Sequence, residues 1–337
     1  MRKYLLIEKK ENISSFLLKN SLYFVSNKKI YSNVNNNFVN INSNNIYSVE
    51  NLILSDTEKV YDFNLENYQI FINDDFQYRR RYYKNIVTFN NETNIFFYDI
   101  AKNQLVRKMN LNSFTIYGTI YCFINEYAII LGKDTTISAF DYIQEKILWQ
   151  YDLETYFHQP AQIMEGRVLV SNNKIIFFAH TEDWSNYATF VLDAQTGEVL
   201  FTTQEMGMKL ITYNDFVYQI QRKAIKILDP KNLKIETIDV STYCDEQSIF
   251  LDDHTVFFYK DKLYTLAREQ GSDVYNIWVI FNLKTQLFEY REDMFINPKK
   301  KKDEKNKMFI NDIQANDNLV AIRCFDNIYI FEKELEE

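Results

Sequence analysis

TISAFDYIQEKILWQYDLE, residues 136–154, decides the fold of this 337-residue chain. It reads as strand, tight turn, strand. Ile137, Ala139 and Phe140 run into Asp141, and Ile147, Leu148, Trp149 and Tyr151 form the return. The phrase comes back at residues 189–204 (TFVLDAQTGEVLFTTQ), and more loosely at 94–109, 224–238 and 277–292. A hairpin repeated along a chain predicts a repeat architecture.

Turn positions fall at Asn64, Asp99, Asp141, Asp193, Asp229 and Asn282, with a last one near residue 332. Their spacing of about 35 to 53 residues is close to that of a four-stranded propeller blade, about 40–50 residues. No segment keeps a helical period for more than about two turns, which excludes βα repeats. The expected fold is therefore all-β: a single β-propeller domain over residues 1–337, with seven blades of four antiparallel strands. Eight blades are the alternative. Residues 16–32 decide between them, either as an eighth unit or as the piece that completes the last blade. The last unit, residues 309–333, lacks its outermost strand, as expected if strands from both termini close the ring and remove its exposed edges.

Composition agrees. The 25 Tyr and 27 Phe suit half-buried pleated sheets. With only 6 Gly and 3 Pro, Asn, Asp and Lys must supply most turns. A net charge of −8 argues against a general nucleic-acid binder, which needs clustered positive charge. The three cysteines, Cys122, Cys244 and Cys324, lie far apart with no CxxC, so buried free thiols are expected rather than disulfides or a zinc site. The start MRKYLLIEKKENISS has too short an apolar run for a secretory signal. No stretch approaches the roughly 18 apolar residues that cross a bilayer. A cytoplasmic protein without membrane attachment is expected.

The hairpin phrase resembles the repeat of quinoprotein-type (PQQ-like) β-propellers, roughly A-x-D-x-x-T-G-x-x-x-W. Ala139, Asp141 and Trp149 match the Ala, Asp and Trp positions, while Gln144 and Glu145 stand in place of Thr and Gly. In the next unit Asp193, Thr196 and Gly197 match, with Val191 and Phe201 at the Ala and Trp positions. The resemblance implies the fold. Elementary chemistry gives the same residues structural roles. An Asp before a turn accepts backbone N–H groups, Gly197 takes positive φ, and Trp149 and Phe201 fill the space between blades. Quinoprotein dehydrogenases use PQQ with calcium, but no carboxylate–amide cluster of this chain maps onto such a site. No cofactor, no metal and no catalytic residue is therefore expected.

His158, His180 and His254 share no metal-ligand spacing. No nucleophile elbow or phosphate-binding glycine loop occurs. Asp74–Asp75 and Asp252–Asp253 read as solvated turn residues, and the run at 299–307 reads as an inter-strand loop. Two segments stand out as contacts for another protein. One is QYRRRYYK, residues 77–84, where Tyr78, Arg79, Arg80, Arg81, Tyr82 and Tyr83 combine the residue types enriched at interface hot spots. Its alternative is a solvated edge with the aromatics tucked inward. The other is the insertion at residues 180–187, which carries Trp184 in a polar loop. The function expected is a non-enzymatic platform for protein binding. The alternative is an enzyme or small-ligand binder using the central channel or one rim.

Overall fold

A computed structural model of the chain describes residues 4–19, 21–27, 29–32, 38–40, 46–49, 52–55, 59–62, 68–70, 82–84, 86–90, 93–99, 102, 104–110, 119–164, 168–296 and 304–333. Among these the strands build eight sheets, seven of four strands and one of five. In chain order they cover residues 13–40, 46–70, 82–110, 119–152, 161–203, 211–239 and 249–293. The eighth covers 310–333 together with Tyr4–Lys10. Among the described residues helix is confined to Glu154–Phe157, Ser241–Glu246 and the 3-10 turn Glu304–Asn306. No described helix is long and apolar enough to cross a membrane.

The number of sheets is the eight of the alternative expectation, and the reason lies at the chain start. Tyr4–Lys10 pairs antiparallel with Asn327–Lys333, with Tyr4 opposite Lys333 and Lys10 opposite Ile328. The missing outer strand of the last sheet is thus supplied by the first strand of the chain. Residues 13–40 are left free to form a sheet of their own, with Ile13–Leu18, Leu22–Ser26, Lys29–Ser32 and Phe38–Asn40 in sequence order. Long-range bonds join these two sheets: Ile13 N–H donates to Asp326 O at 2.7 Å, and Arg323 Nη1 donates to Ser14 O at 2.7 Å.

Within a sheet, burial follows strand position. Thr136–Asp141 buries every residue but its first, because both faces are covered; the outer strand Lys146–Asp152 buries only Trp149. The five-stranded sheet, the fifth, departs from the others because its first strand is split. Ala161–Ile163 and Leu169–Ser171 pair with successive parts of the same strand, Lys174–Thr181.

The hairpin turns repeat one geometry. Asp141 accepts the N–H groups of Ile143 at 2.9 Å and Gln144 at 2.8 Å. Asp193 does so for Gln195 and Thr196, Asn282 for Lys284 and Thr285, Asp229 for Lys231 and Asp99 for Lys102. Four residues after the turn Asp or Asn the chain is left-handed: Glu145 at φ 53°, Gly197 at 74°, Leu233 at 60° and Gln286 at 55°. Beside these turns the strand register shifts between Ala139 and Phe140, Val191 and Leu192, and Ile280 and Phe281, as in hairpins closed by a bulge with a left-handed residue. Three of the four left-handed positions hold a residue with a Cβ, so the scarce glycine is replaced by accepting about 1–2 kcal/mol of local strain.

The chain divides into two compact units. The first comprises Met1–Gln69, Ile220–Ile225 and Thr237–Glu337. An aromatic group lies in its core, where Trp278 meets Tyr4, Tyr290 and Phe331 with ring centroids 4.7–5.6 Å apart. The second comprises Ile70–Gln219 and Lys226–Glu236. Its largest apolar cluster carries Trp149, Phe177, Phe190, Ile137 and Ala194. Trp149, 9% exposed, donates its indole N–H to Ala194 O at 3.0 Å and so ties the fourth sheet to the hairpin turn of the fifth. At that turn a Cβ on Gly197 would lie 2.5 Å from the Trp149 ring. Glycine is needed there for its φ and for the close approach of the indole. Phe201 packs likewise against a cluster holding Val217 and Leu228 of the sixth sheet.

Candidate functional site

Of the expected contact residues, Tyr78, Arg79, Arg80 and Arg81 lie outside the described residues. Tyr82–Tyr83 is a short strand opposite Ile86 and Val87. Tyr83 is half-buried and packs against the cluster that holds Ile86, Phe97 and Tyr142, its ring centroid 6.4 Å from that of Phe123. Pairing with Ile86 at the edge of the third sheet sets Tyr83 on the core side of the pleat.

Trp184 is presented. It sits at the tip of the hairpin between Lys174–Thr181 and Tyr187–Asp193, and it is 46% exposed. The tip is built by Asp183, whose Oδ1 accepts Thr181 Oγ1 at 2.7 Å, Ser185 N–H at 3.0 Å and Ser185 Oγ at 2.8 Å. Thr181 N–H donates to Asn186 O, and Trp184 N–H donates to Thr181 O, both at 2.9 Å. These bonds hold Trp184 at φ 60°, a left-handed conformation that costs an ordinary residue about 1–2 kcal/mol. Bonds from Thr181 and Ser185 keep the Asp183 carboxyl ionised down to a pKa of about 2. The indole stacks on the buried ring of His180, centroids 3.5 Å apart and planes 14° from parallel. His180 Nδ1 is 2.8 Å from Thr181 O, Phe178 flanks the stack, and the exposed Tyr187 ring lies 5.8 Å from that of Phe178. One face of the indole is thereby fixed on the hairpin while nearly half of the side chain stays exposed. His158, by contrast, is an exposed residue following Glu154–Phe157.

A second constellation, in the first unit, was not foreseen from sequence. Phe250 is half-buried on the first strand of the seventh sheet, directly opposite Arg268. Three cationic heads surround its ring: Arg222 Cζ at 5.6 Å, Lys223 Nζ at 5.4 Å and Arg268 Cζ at 5.7 Å from the centroid. Backbone bonds place them, because Leu251 N–H donates to Arg222 O at 3.0 Å and Val240 N–H to Lys223 O at 3.0 Å. Lys223 is paired with Asp245, which also accepts Gln270 Nε2 at 3.2 Å. Arg268 donates to Ser272 O, lies 3.5 Å from the exposed Asp273 and faces the Tyr275 ring. Arg222 is exposed and has no carboxylate partner among the described residues. An exposed cation–π contact is worth about 0.5–1 kcal/mol. Two unit charges ~10 Å apart at an effective dielectric of ~20 repel by ~1.7 kcal/mol. Three cations on one ring are thus held together by backbone geometry and by the carboxylates beside two of them.

Beyond the helix Ser241–Glu246 a cleft of about 370 Å³ opens, floored by the outer strand Leu287–Asp293. Tyr243 stacks on Phe288 at 3.9 Å in its wall. Arg291 bridges to Asp293 through Nε at 2.9 Å and Nη2 at 3.2 Å, and to Gln247 O at 3.1 Å. Tyr290 donates to Glu292 at 2.8 Å, and burial with that carboxylate pushes its phenol well up. Of the thiols, Cys244 and Cys324 are buried, which raises them to about 11 and about 12, and Cys122 is half-buried; none of the three is in a disulfide. Among the described residues no group of three or more His, Cys, Asp or Glu is placed to hold a metal ion.

No protein-family model matches the chain, and no curated protein matches its sequence. Solved structures do resemble it. BamB from Moraxella catarrhalis aligns over 98% of this chain and 100% of its own, at 10% identity and a TM-score of 0.54. The Dos1 propeller aligns over 99% and 96%, at 9% identity and 0.56. Sqt1 of Saccharomyces cerevisiae aligns over 99% and 98%, at 7% identity and 0.56. At such identities the likeness concerns architecture alone. With the repeated four-stranded sheets, it shows that the fold is that of a β-propeller.

Proposed function

We propose that this chain is a non-enzymatic platform for binding another protein, with the Trp184 hairpin as one contact. The observation that carries this is the cost of presenting that indole. A left-handed tryptophan, braced by three bonds to Asp183 and stacked on a buried histidine, is held in place beside water. Tryptophan is among the residues that dominate interface energetics, and fixing it beforehand lowers the entropy lost on binding. The connection through Tyr78, Arg79, Arg80, Arg81 and Tyr82 is proposed as a further contact on its sequence. The cytoplasm is the proposed location, and the quinoprotein-type repeat the proposed kinship, on the matches at Ala139, Asp141, Trp149, Asp193 and Gly197.

The test compares the full chain with Trp184→Ala by affinity purification from its own cells. Removing the exposed indole should leave stability within about 0.5 kcal/mol and strip the specific partner from the eluate. Recovery of the same proteins in the same amounts by both forms overturns the assignment of Trp184. A second reading, a small-ligand site, draws on the cleft beside Tyr243 and Phe288; a saturable thermal shift with a small molecule, abolished by Tyr243→Ala, would favour it.

A further inference from the structure

The cations around Phe250 mark a binding site separate from the Trp184 hairpin. We propose that Arg222, Lys223 and Arg268 receive an extended acidic peptide segment in which carboxylates alternate with small residues. The inference deepens the platform reading by naming the chemistry of a partner. It is tested with a synthetic peptide, so its failure is distinct from a failure at Trp184.

Three features support it. The first is an unspent charge. Arg222 is exposed, has no carboxylate partner among the described residues, and has its planar head anchored over Phe250 at 5.6 Å. Guanidinium forks pair carboxylates bidentately, and an anchored fork loses less freedom on doing so. The second is replaceable compensation. Asp273, which faces the largely covered Arg268 at a long 3.5 Å, is itself fully exposed, so that contact is weak and an incoming carboxylate competes with it. The third is span. The heads of Arg222 and Arg268 each lie less than 6 Å from one ring centre, so they are at most two such lengths apart. Alternate residues on one face of an extended strand are roughly 7 Å apart. An acidic–small–acidic segment therefore offers one carboxylate to each fork, with its side-chain stems over Phe250 and Tyr275.

The same geometry disfavours a compact dianion. Asp245 and Asp273, beside Lys223 and Arg268, repel a doubly charged phosphoryl group more than a single carboxylate. The net charge of −8 opposes every anionic partner at longer range, and a long polyanion such as nucleic acid or an anionic membrane more than a short acidic segment.

Fluorescence anisotropy of a labelled peptide of alternating glutamate and alanine, titrated with the full chain at low salt, tests the proposal. Saturable binding that weakens with added salt is expected. Arg222→Ala should weaken it about tenfold, the size of one lost charge-assisted hydrogen-bonded contact. Neutralising an exposed cation elsewhere in the same unit, Lys284→Gln, should leave it unchanged, as should Trp184→Ala. Three results would overturn it: equal binding of an alternating glutamine–alanine peptide, equal binding by Arg222→Ala, or tighter binding of a phosphoserine peptide than of the glutamate one. Arg222 makes only its ring contact through its side chain, so Arg222→Ala should keep the parent melting temperature, and circular dichroism checks this in the same samples.

Discussion

Trp149 and Trp184 lie on neighbouring sheets of one unit and put the same side chain to opposite uses. Trp149 is 9% exposed, donates its N–H to Ala194 and rests against Gly197. Trp184 is 46% exposed and rests on His180. The difference follows from strand position. Trp149 belongs to an outer strand whose one buried residue points at the next sheet, where its bulk joins two sheets. Trp184 belongs to a connection that extends beyond the sheet, where side-chain hydrogen bonds and the His180 stack do the positioning. A large aromatic residue in such a repeat is cement in the strand and display at the tip.

The sharpest break in that comparison comes from removing each indole in turn. Trp149→Ala should destabilise by about 3–5 kcal/mol, the range for deleting a large buried aromatic, measured by chemical denaturation; its counterpart at Trp184 should barely register. A loss below about 1 kcal/mol at Trp149 would show that the fourth and fifth sheets are joined by other contacts. Gly197→Ala attacks the same junction from the other side. It adds roughly 1–2 kcal/mol of left-handed strain to a Cβ driven into the Trp149 ring, so its effect should exceed that strain alone. Combined with Trp149→Ala, which removes the clash, the glycine substitution should cost only the strain. That non-additivity is the signature of contact.

Acid gives the smallest effect and acts only at the tip. The Asp183 carboxyl has its pKa lowered from 3.8 to about 2 by Thr181 and Ser185. Its contribution is present above pH 3.8 and is lost as pH falls toward 2. The Trp184 indole resonance should therefore move between about pH 4 and 2 while that of Trp149 stays until global unfolding. Asp183→Asn should reproduce the acid position of the signal at neutral pH. A Trp184 signal that ignores both changes would mean that the histidine stack alone holds the indole.

What sequence revealed and what it hid divide along the range of the interactions. Asp99, Asp141, Asp193, Asp229 and Asn282 were legible as turn residues because the N–H groups they bind lie two or three residues on. Trp149 was legible through its place in a repeated phrase. Trp184 was legible as an aromatic residue among polar ones, but not its stack on His180. The sheet number turned on a pairing between the two ends of the described chain, Tyr4–Lys10 with Asn327–Lys333, which no local pattern displays. The Phe250 cluster was hidden for the same reason. Arg222 and Lys223 reach it from one connection and Arg268 from a strand end, so nothing in any one stretch marks it. At Glu145, where the resembling repeat has Gly, the left-handed backbone was hidden because a residue with a Cβ does not advertise that conformation.

The pairing of Tyr4–Lys10 with Asn327–Lys333 also sets a timetable. Tyr4–Lys10 is made long before the residues it pairs with, and Ser14 must wait for Arg323, 309 residues further on. Until then Leu5, Leu6 and Ile7 travel on an unpaired strand, and in the finished sheet they remain more than half exposed. Closure of so large a loop is the late, slow event of folding. The interval before it is when this chain is most open to aggregation and proteolysis, so a fusion that hinders the first strand should lower the yield of folded protein before it lowers its final stability.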